Sequence, residues 1–162
     1  MSSDLLIHCV SQQPIQISEK LHFFNLIVFP ASKLLTQIIS ILREEKRLKK
    51  HYLELLITQQ LSVLDLSREG DEIACHLRLA SIRCSVRLTY FALCFETIVE
   101  LKFFFSLQHL KTLNLTGCQK ISKQVYQEFL PSFEKLQVLD ISNTNSGDSC
   151  LYILGAYCKD LR

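Results

Sequence analysis

The sequence predicts an α/β solenoid, in which parallel strands form a concave face and helices form the convex face, preceded by an N-terminal helical segment. The prediction rests on two similar phrases, LKTLNLTGC and LQVLDISNT, which begin 26 residues apart at Leu110 and Leu136. Apolar residues stand at the first, fourth and sixth positions of each phrase, and apolar residues with helical spacing follow each one. One strand with one helix cannot bury its own apolar face, so such units must stack on each other.

The composition is that of a folded domain. The chain has 162 residues, of which 48% are hydrophobic and 21% are charged, which is enough apolar material to form a core. The net charge of +2 does not by itself indicate nucleic acid or an anionic membrane as a partner. The most apolar long stretch, residues 88–107, contains Glu96, Glu100 and Lys102, which disfavour a membrane span.

The N-terminus and the cysteines indicate an intracellular protein. The opening MSSDLLIHCVSQQP has neither the basic region nor the long apolar region of a secretory signal. The seven cysteines are therefore expected to be reduced and mostly buried, and Cys118 and Cys158 are expected to pack inside the solenoid. We expect a cytoplasmic or nuclear location.

Residues 1–58 are predicted to form the N-terminal helical segment, which would cap the first unit. Ser18 could begin a helix that runs to Phe29 and stops at Pro30. A second, amphipathic helix, which Ser32 could cap, is predicted from apolar residues at three- and four-residue spacing. These residues are Leu34, Leu35, Ile38, Ile39 and Leu42.

Residues 59–162 are predicted to contain about four stacked units, the last one incomplete. LSVLDLS from Leu61 has the same apolar positions as the two later phrases and lies 49 residues before Leu110, so one unit should stand between them. The best candidate for this unit is VRLTYFALC, beginning at Val86. Leu161 would begin a further unit.

The residues between the inward positions are predicted to form the concave surface. Across the four units they form rows, and the first row, which is unusually apolar, comprises Val63, Leu88, Thr112 and Val138. The second row comprises Asp65, Tyr90, Asn114 and Asp140, and the third comprises Ser67, Ala92, Thr116 and Ser142. Apolar side chains where solvent is expected indicate a protein or peptide site, with Tyr90 as an aromatic anchor. The predicted partner-binding residues are Val63, Tyr90, Thr112, Asn114, Val138 and Asp140.

Residues 110–162 resemble the cysteine-containing type of leucine-rich repeat, whose units read roughly LxxLxLxxCxxITDxGLxxLAxxCxxL. Cys118 fits the first cysteine, Ile121-Ser122 fits the IT pair, and Cys158 with Leu161 fits the closing CxxL. Thr144 and Phe133 stand where the pattern has cysteines, and no clear TDxG occurs. Repeats of this type occur in F-box proteins and in the Zyg-11 family, and LDISNT is especially similar to the latter.

This resemblance implies a substrate-recognition subunit of a cullin-type ubiquitin ligase, with an adaptor-docking segment before the repeats. Leu5-x-x-x-Cys9 resembles the start of an elongin-binding BC box, although Gln13 stands where an apolar residue is expected. Phe29-Pro30, followed by Leu34, resembles a cullin box or an F-box, although the spacing is one residue too long for the F-box. The implied partners are elongin or Skp1 with a cullin.

No sequence pattern indicates catalysis, a metal or a cofactor. CxxC, GxSxG and HExxH are missing, and the four glycines never cluster into a phosphate loop. The basic residues of 43–51 are interrupted by Glu44 and Glu45, which favours a solvated helix end over a nucleic-acid site. We therefore expect a protein-binding module that is not an enzyme. Two alternatives stay open, a repeat scaffold without a ligase link and a truncated fragment of a longer repeat protein.

Overall fold

The computed structural model describes residues 31–67, 77–94 and 105–162. The predicted helix from Ser18 to Phe29 lies outside the described residues, as do four residues of the predicted adaptor-docking segment, Leu5, Cys9, Phe29 and Pro30. The helices are α1 (Ala31–Glu44), α2 (Lys50–Leu56), α3 (Leu77–Cys84), α4 (Lys123–Phe129) and α5 (Ser149–Tyr157). The strands are β1 (Val63–Leu66), β2 (Tyr90–Leu93), β3 (Thr112–Asn114) and β4 (Val138–Asp140). A short 3₁₀ helix, Leu130–Ser132, follows α4.

The four strands in the described part of the chain form one parallel sheet in chain order, β1-β2-β3-β4. A helix lies between β1 and β2, another lies between β3 and β4, and a third follows β4. The predicted mixed α/β architecture with parallel strands is therefore confirmed. The repeated phrases from Leu61, Leu110 and Leu136 each contain one strand, so residues at equivalent phrase positions become neighbours in the sheet.

The entries into β3 and β4, and the segment after α5, follow one hydrogen-bonding scheme. The amides of Leu110, Leu136 and Leu161 each donate to the carbonyl three residues earlier, at distances of 3.1, 3.2 and 3.3 Å. The next residue then donates to the preceding strand entry: Gln137 N–H donates to the Lys111 carbonyl at 2.8 Å, and Arg162 N–H donates to the Gln137 carbonyl at 3.0 Å. At β2 the Leu88 amide instead donates to the Cys84 carbonyl four residues earlier, at 2.9 Å. Each phrase thus begins with a tight turn that places its first leucine inward.

The prediction that the second unit begins at Val86 was wrong by two residues. The sheet register pairs Tyr90 with Val63 on one side and with Thr112 on the other, so the unit begins at Leu88. Leu88, Phe91 and Leu93 are buried, whereas Val86 is 75% exposed. A shift of two residues leaves the inward and outward alternation of a strand unchanged, so alternation could not distinguish the two starts. The start at Leu88 is favoured because Leu88, Phe91 and Leu93 together bury more apolar surface than the residues of the Val86 start would.

Helix α1 covers β1 with the predicted apolar face, and this amphipathic helix is confirmed. Leu35, Ile38, Ile39 and Leu42 are all buried. The helix begins at Ala31, so Ser32 lies in its first turn, where its hydroxyl accepts the Ser62 amide at 3.1 Å. Ser32 therefore fixes α1 to the start of β1.

Aromatic and cysteine side chains form part of the core around β3 and β4. Tyr126, Phe129 and Phe133 are fully buried, with ring centroids 5.4 Å apart for the first pair and 5.9 Å for the second. Cys118 and Cys158 are buried as predicted. Among the described helices, none combines the length and the apolar character needed to cross a bilayer.

Candidate functional site

One line of side chains crosses the whole described sheet on its accessible face. The register places Val63, Tyr90, Thr112 and Val138 next to one another, one from each strand. All four side chains are at least partly exposed, whereas the residues that follow the first three of them, Leu64, Phe91 and Leu113, are buried. Strands spaced about 4.8 Å apart make this line about 15 Å long. We call these four residues the sheet row; all were predicted partner-binding residues, whereas Leu88, also placed in the first predicted row, is buried.

The second row differs from the predicted one in one residue, and its polar side chains bind the backbone that follows their strands. Ala92, not Tyr90, stands beside Asp65 and Asn114, because the second unit begins two residues later. Asn114 Oδ1 accepts the Thr116 amide at 2.9 Å, and Asp140 Oδ1 accepts the Ser142 amide at 3.0 Å. These side chains turn the backbone as it leaves each strand. Hydrogen bonds from Ser142 also lower the pKa of Asp140. Asn114 and Asp140 lie beside the sheet row, but one oxygen of each already binds its own backbone.

A groove of about 180 Å³ lies where the sheet row meets α1. Val63, Asp65 and Tyr90 form its sheet side, and Thr36, Ile39 and Ser40 form its helix side. Ile39 is buried, while Thr36 and Ser40 are half-buried. The groove therefore has an apolar base with hydroxyl groups along one wall. We call it the α1 groove.

An ion pair stands at one end of the α1 groove. Arg43 Nη1 lies 2.5 Å from Asp65 Oδ2, and it also donates to the Asp65 carbonyl at 3.3 Å. The Ser67 amide and hydroxyl donate to Asp65 Oδ1 at 3.0 and 2.7 Å. Burial acts to raise the pKa of Asp65, but the hydrogen bonds from Arg43 and Ser67 outweigh it, so the pKa lies below the usual value. Asp65 is thus a charged, fully engaged carboxylate at neutral pH.

Tyr90 is the aromatic residue of the groove. Burial and the neighbouring Asp65 carboxylate raise the pKa of its phenol, and Arg43 acts in the opposite direction. The phenol is therefore protonated at neutral pH, and a half-buried ring with a hydroxyl tip can both pack against an apolar side chain and donate a hydrogen bond.

The sequence did not predict the helix side of the groove. Thr36, Ser40 and Arg43 occupy the polar face of α1, where side chains of this type usually face solvent. Only the packing of α1 across β1 turns them toward Tyr90. Leu34, a predicted adaptor-docking residue, is half-buried against the core.

A second depression of about 550 Å³ lies on the segments that follow β3 and β4. Gln119, Lys120, Ile121 and Asn145 are among the residues that border it, and the side-chain amide of Asn145 donates to the Gln119 carbonyl. It lacks the aromatic residue of the α1 groove.

The cysteines of the described residues are packing groups with free thiols. Burial raises the pKa of Cys84 to about 12, and its thiol donates to the Thr58 carbonyl at 3.0 Å. Such a thiol is protonated at neutral pH, whereas the thiolate is the reactive form of cysteine. Within residues 31–67, 77–94 and 105–162, no three His, Cys, Asp or Glu side chains are close enough together to hold a metal ion.

Comparisons of the chain with protein-family models, with curated proteins and with solved structures found no match.

Proposed function

We propose that this chain is a leucine-rich-repeat interaction module that binds an extended protein segment along the sheet row. The observation that supports this proposal best is the continuity between the sheet row and the α1 groove, which share Val63 and Tyr90. Together they provide a line of accessible side chains that ends in a cleft with an aromatic wall. Binding sites of this type combine an apolar base with a few polar groups that fix orientation.

The dimensions suit a short segment. A row of about 15 Å matches four or five residues of extended chain at about 3.3 Å per residue. The α1 groove of about 180 Å³ holds roughly six waters at about 30 Å³ each, which one large apolar side chain would displace. Tyr90 would contact that side chain, and the Arg43–Asp65 pair would stay solvated at the groove end.

The experiment is selection of peptides from a displayed library on the purified chain, followed by calorimetric titration of a selected peptide. Tyr90→Ala should weaken binding about 10- to 30-fold, the usual loss for an aromatic anchor at an interface. Combining it with Val138→Asp should weaken binding further. Tyr157→Ala is the matched control, because Tyr157 is an accessible tyrosine on α5, outside the sheet row. Equal affinities for wild type and the Tyr90→Ala, Val138→Asp double variant would refute the proposal.

More specifically, we propose that the module serves as a substrate-recognition subunit of a cullin-type ubiquitin ligase. The support is the resemblance of residues 110–162 to the repeats of F-box and Zyg-11 proteins, and the order of the candidate docking residues before the repeats. In this proposal Leu5, Cys9, Phe29, Pro30 and Leu34 belong to the segment that binds elongin or Skp1 with a cullin, and the sheet row binds the client.

Co-purification from cells separates this proposal from a scaffold without a ligase link. A ligase subunit should recover elongin or Skp1 together with a cullin. If the BC-box interpretation is right, Leu5→Ala with Cys9→Ala should remove elongin and the cullin while leaving clients bound. Clients recovered without any adaptor would favour the scaffold, and loss of clients with Tyr90→Ala would still support the sheet row.

A further inference from the structure

The first and last strands of the described sheet carry the same side-chain pattern. Strand β1 begins Val63-Leu64-Asp65, and β4 consists of Val138-Leu139-Asp140. The two valines stand at opposite ends of the sheet row, and each aspartate lies two residues further along, on the same face of its strand. In both strands a serine amide two residues beyond the aspartate donates to its Oδ1 at 3.0 Å, so the two carboxylates are held alike.

At β1, the chain itself supplies a counter-ion for the aspartate. Arg43 Nη1 lies 2.5 Å from Asp65 Oδ2, whereas the hydrogen bonds from Ser67 use Oδ1. Arg43 and Val63 line the same groove, so the guanidinium reaches the carboxylate from α1, beside the end of the sheet row. This end of the sheet therefore shows how an arginine binds a valine and an aspartate in this arrangement.

At β4, the same arrangement has no counter-ion within the described chain. The ion pairs of the described residues have Asp65 and Glu45 as their acidic partners, and Asp140 takes part in neither. The amide and then the hydroxyl of Ser142 donate hydrogen bonds that lower the pKa of Asp140, so its carboxylate is charged at neutral pH. Val138 is 50% exposed. The β4 end of the sheet row thus presents an accessible apolar side chain next to a charged oxygen.

The turn after β4 does not need this charge. Asn114 stands beside Asp140 in the register, and its Oδ1 accepts the Thr116 amide at 2.9 Å, just as Asp140 accepts the Ser142 amide. A neutral amide therefore performs the same backbone task one strand away. What the carboxylate adds at β4 is its charge and a second oxygen that can only accept hydrogen bonds.

We infer that Val138 and Asp140 form a subsite for an arginine side chain of the bound segment, an inference that rests on the proposed binding along the sheet row. The apolar stem of the arginine would pack on Val138, and its guanidinium would bind Asp140 Oδ2, as Arg43 binds Asp65 at the other end. Lysine has a similar stem but offers a single point charge, so arginine suits the subsite better.

The distance between the two ends of the sheet row sets the spacing in the bound segment. The α1 groove is bordered by β1 and β2, so it lies about two and a half strand spacings, or about 12 Å, from β4. Side chains on one face of an extended segment recur every second residue, so a residue four positions from the anchor lies about 13 Å away. The partner is therefore a segment with a large apolar residue and an arginine four positions from it.

Parallel peptide selections on the full chain test the inference. Wild type and Asp140→Asn are each screened against a displayed library of random twelve-residue peptides. Wild type should enrich arginine four positions from a large apolar residue, and Asp140→Asn should lose the arginine while keeping the apolar residue. The asparagine retains the acceptor for the Ser142 amide, as Asn114 does in β3, and circular dichroism checks the fold. Glu128→Gln is the matched control, because Glu128 is an exposed carboxylate on α4, and it should select the same peptides as wild type.

A double-mutant cycle with one selected peptide measures the contact itself. Asp140→Asn in the chain and Arg→Gln in the peptide should each weaken binding about two- to fivefold, the range of exposed ion pairs. Together they should weaken binding no more than either change alone, because both remove the same contact. The effect of Asp140→Asn should disappear in 1 M NaCl, where the Debye length is about 3 Å.

The results distinguish this inference from the proposed function. Peptides that lose affinity for Tyr90→Ala but show no arginine preference would overturn the arginine subsite and leave binding along the sheet row intact. Effects of Asp140→Asn and Arg→Gln that multiply in the cycle would do the same. Peptides that bind wild type and the Tyr90→Ala, Val138→Asp double variant equally well would overturn both.

Discussion

Truncation of Leu42 measures how far α1 and the sheet form one cooperative unit. Leu42 is fully buried in α1, on the face that covers β1. Leu→Ala substitutions at buried sites cost about 2–5 kcal/mol, because transfer free energy is lost and a cavity remains. We expect Leu42→Ala to lower the free energy of unfolding by about 3 kcal/mol, given that no part of this side chain reaches solvent.

Urea unfolding followed by circular dichroism gives the measurement. With a slope of about 2 kcal/mol per M, the midpoint should fall by about 1.5 M. Ile82→Ala is the matched control, because this isoleucine on α3 is 66% exposed, and its cost should stay within about 0.5 kcal/mol. A loss below about 1 kcal/mol for Leu42→Ala, or a separate early transition for helix loss, would show that α1 does not fold with the sheet. The α1 groove would then lack one wall in solution.

Three further predictions concern single contacts. Gly117→Ala should destabilise the protein by about 1–2 kcal/mol in thermal unfolding, because φ of Gly117 is +80° and an added Cβ would lie 3.0 Å from Cys94 Sγ. Adding Cys94→Ala should recover only the part of this loss that comes from the steric contact. Full recovery of stability would exclude backbone strain. Tyr126→Phe should be neutral or stabilising by up to about 1 kcal/mol, since no hydrogen bond of good geometry within the described residues satisfies the buried hydroxyl, although Thr144 lies near enough to offset part of the rise in pKa that burial causes. A loss of stability of about 1 kcal/mol or more would show that Thr144 is a true hydrogen-bond partner. Asp65→Asn should lower the free energy of unfolding by about 1 kcal/mol at pH 6 to 7. This difference from wild type should shrink as the pH falls below 3.8, because the pKa of Asp65 in the folded state lies below its value in the unfolded state. A difference that stays constant down to pH 2 would contradict the ion pair.

The sequence predicted the strands whose phrases match closely. At Leu110 and Leu136 the apolar positions and the spacing agree, so inward residues, strand direction and pairing register all follow from the pattern. The amphipathic pattern of α1 was equally direct, since five apolar residues at helical spacing require one buried face.

The second unit is the one whose start was predicted wrongly. The phrase LTYFAL from Leu88 has apolar residues at the first, fourth and sixth positions, whereas the Val86 start places Thr89 at the fourth. The sequence itself therefore favoured Leu88, and the even spacing of the unit starts misled the prediction. The error placed Tyr90 in the second row, whereas the observed register places it in the first, where it joins Val63 at the α1 groove.

The groove itself could not be predicted from the sequence. Its walls come from segments more than 20 residues apart, and the polar face of α1 has the composition of an ordinary solvated surface. Asn114 and Asp140 were correctly placed beside the row, but their hydrogen bonds to Thr116 and Ser142 depend on the turn that follows each strand.

The turn that starts each strand has a consequence for how this chain tolerates change in length. Successive first leucines, Leu61, Leu88, Leu110 and Leu136, are separated by 27, 22 and 26 residues, yet their strands pair in the same register. The register is reset at every unit by a local hydrogen bond, as when Leu136 N–H donates to the Phe133 carbonyl. An inserted or deleted residue on the helical side is therefore absorbed within its own unit, and the alignment of the units beyond it is preserved.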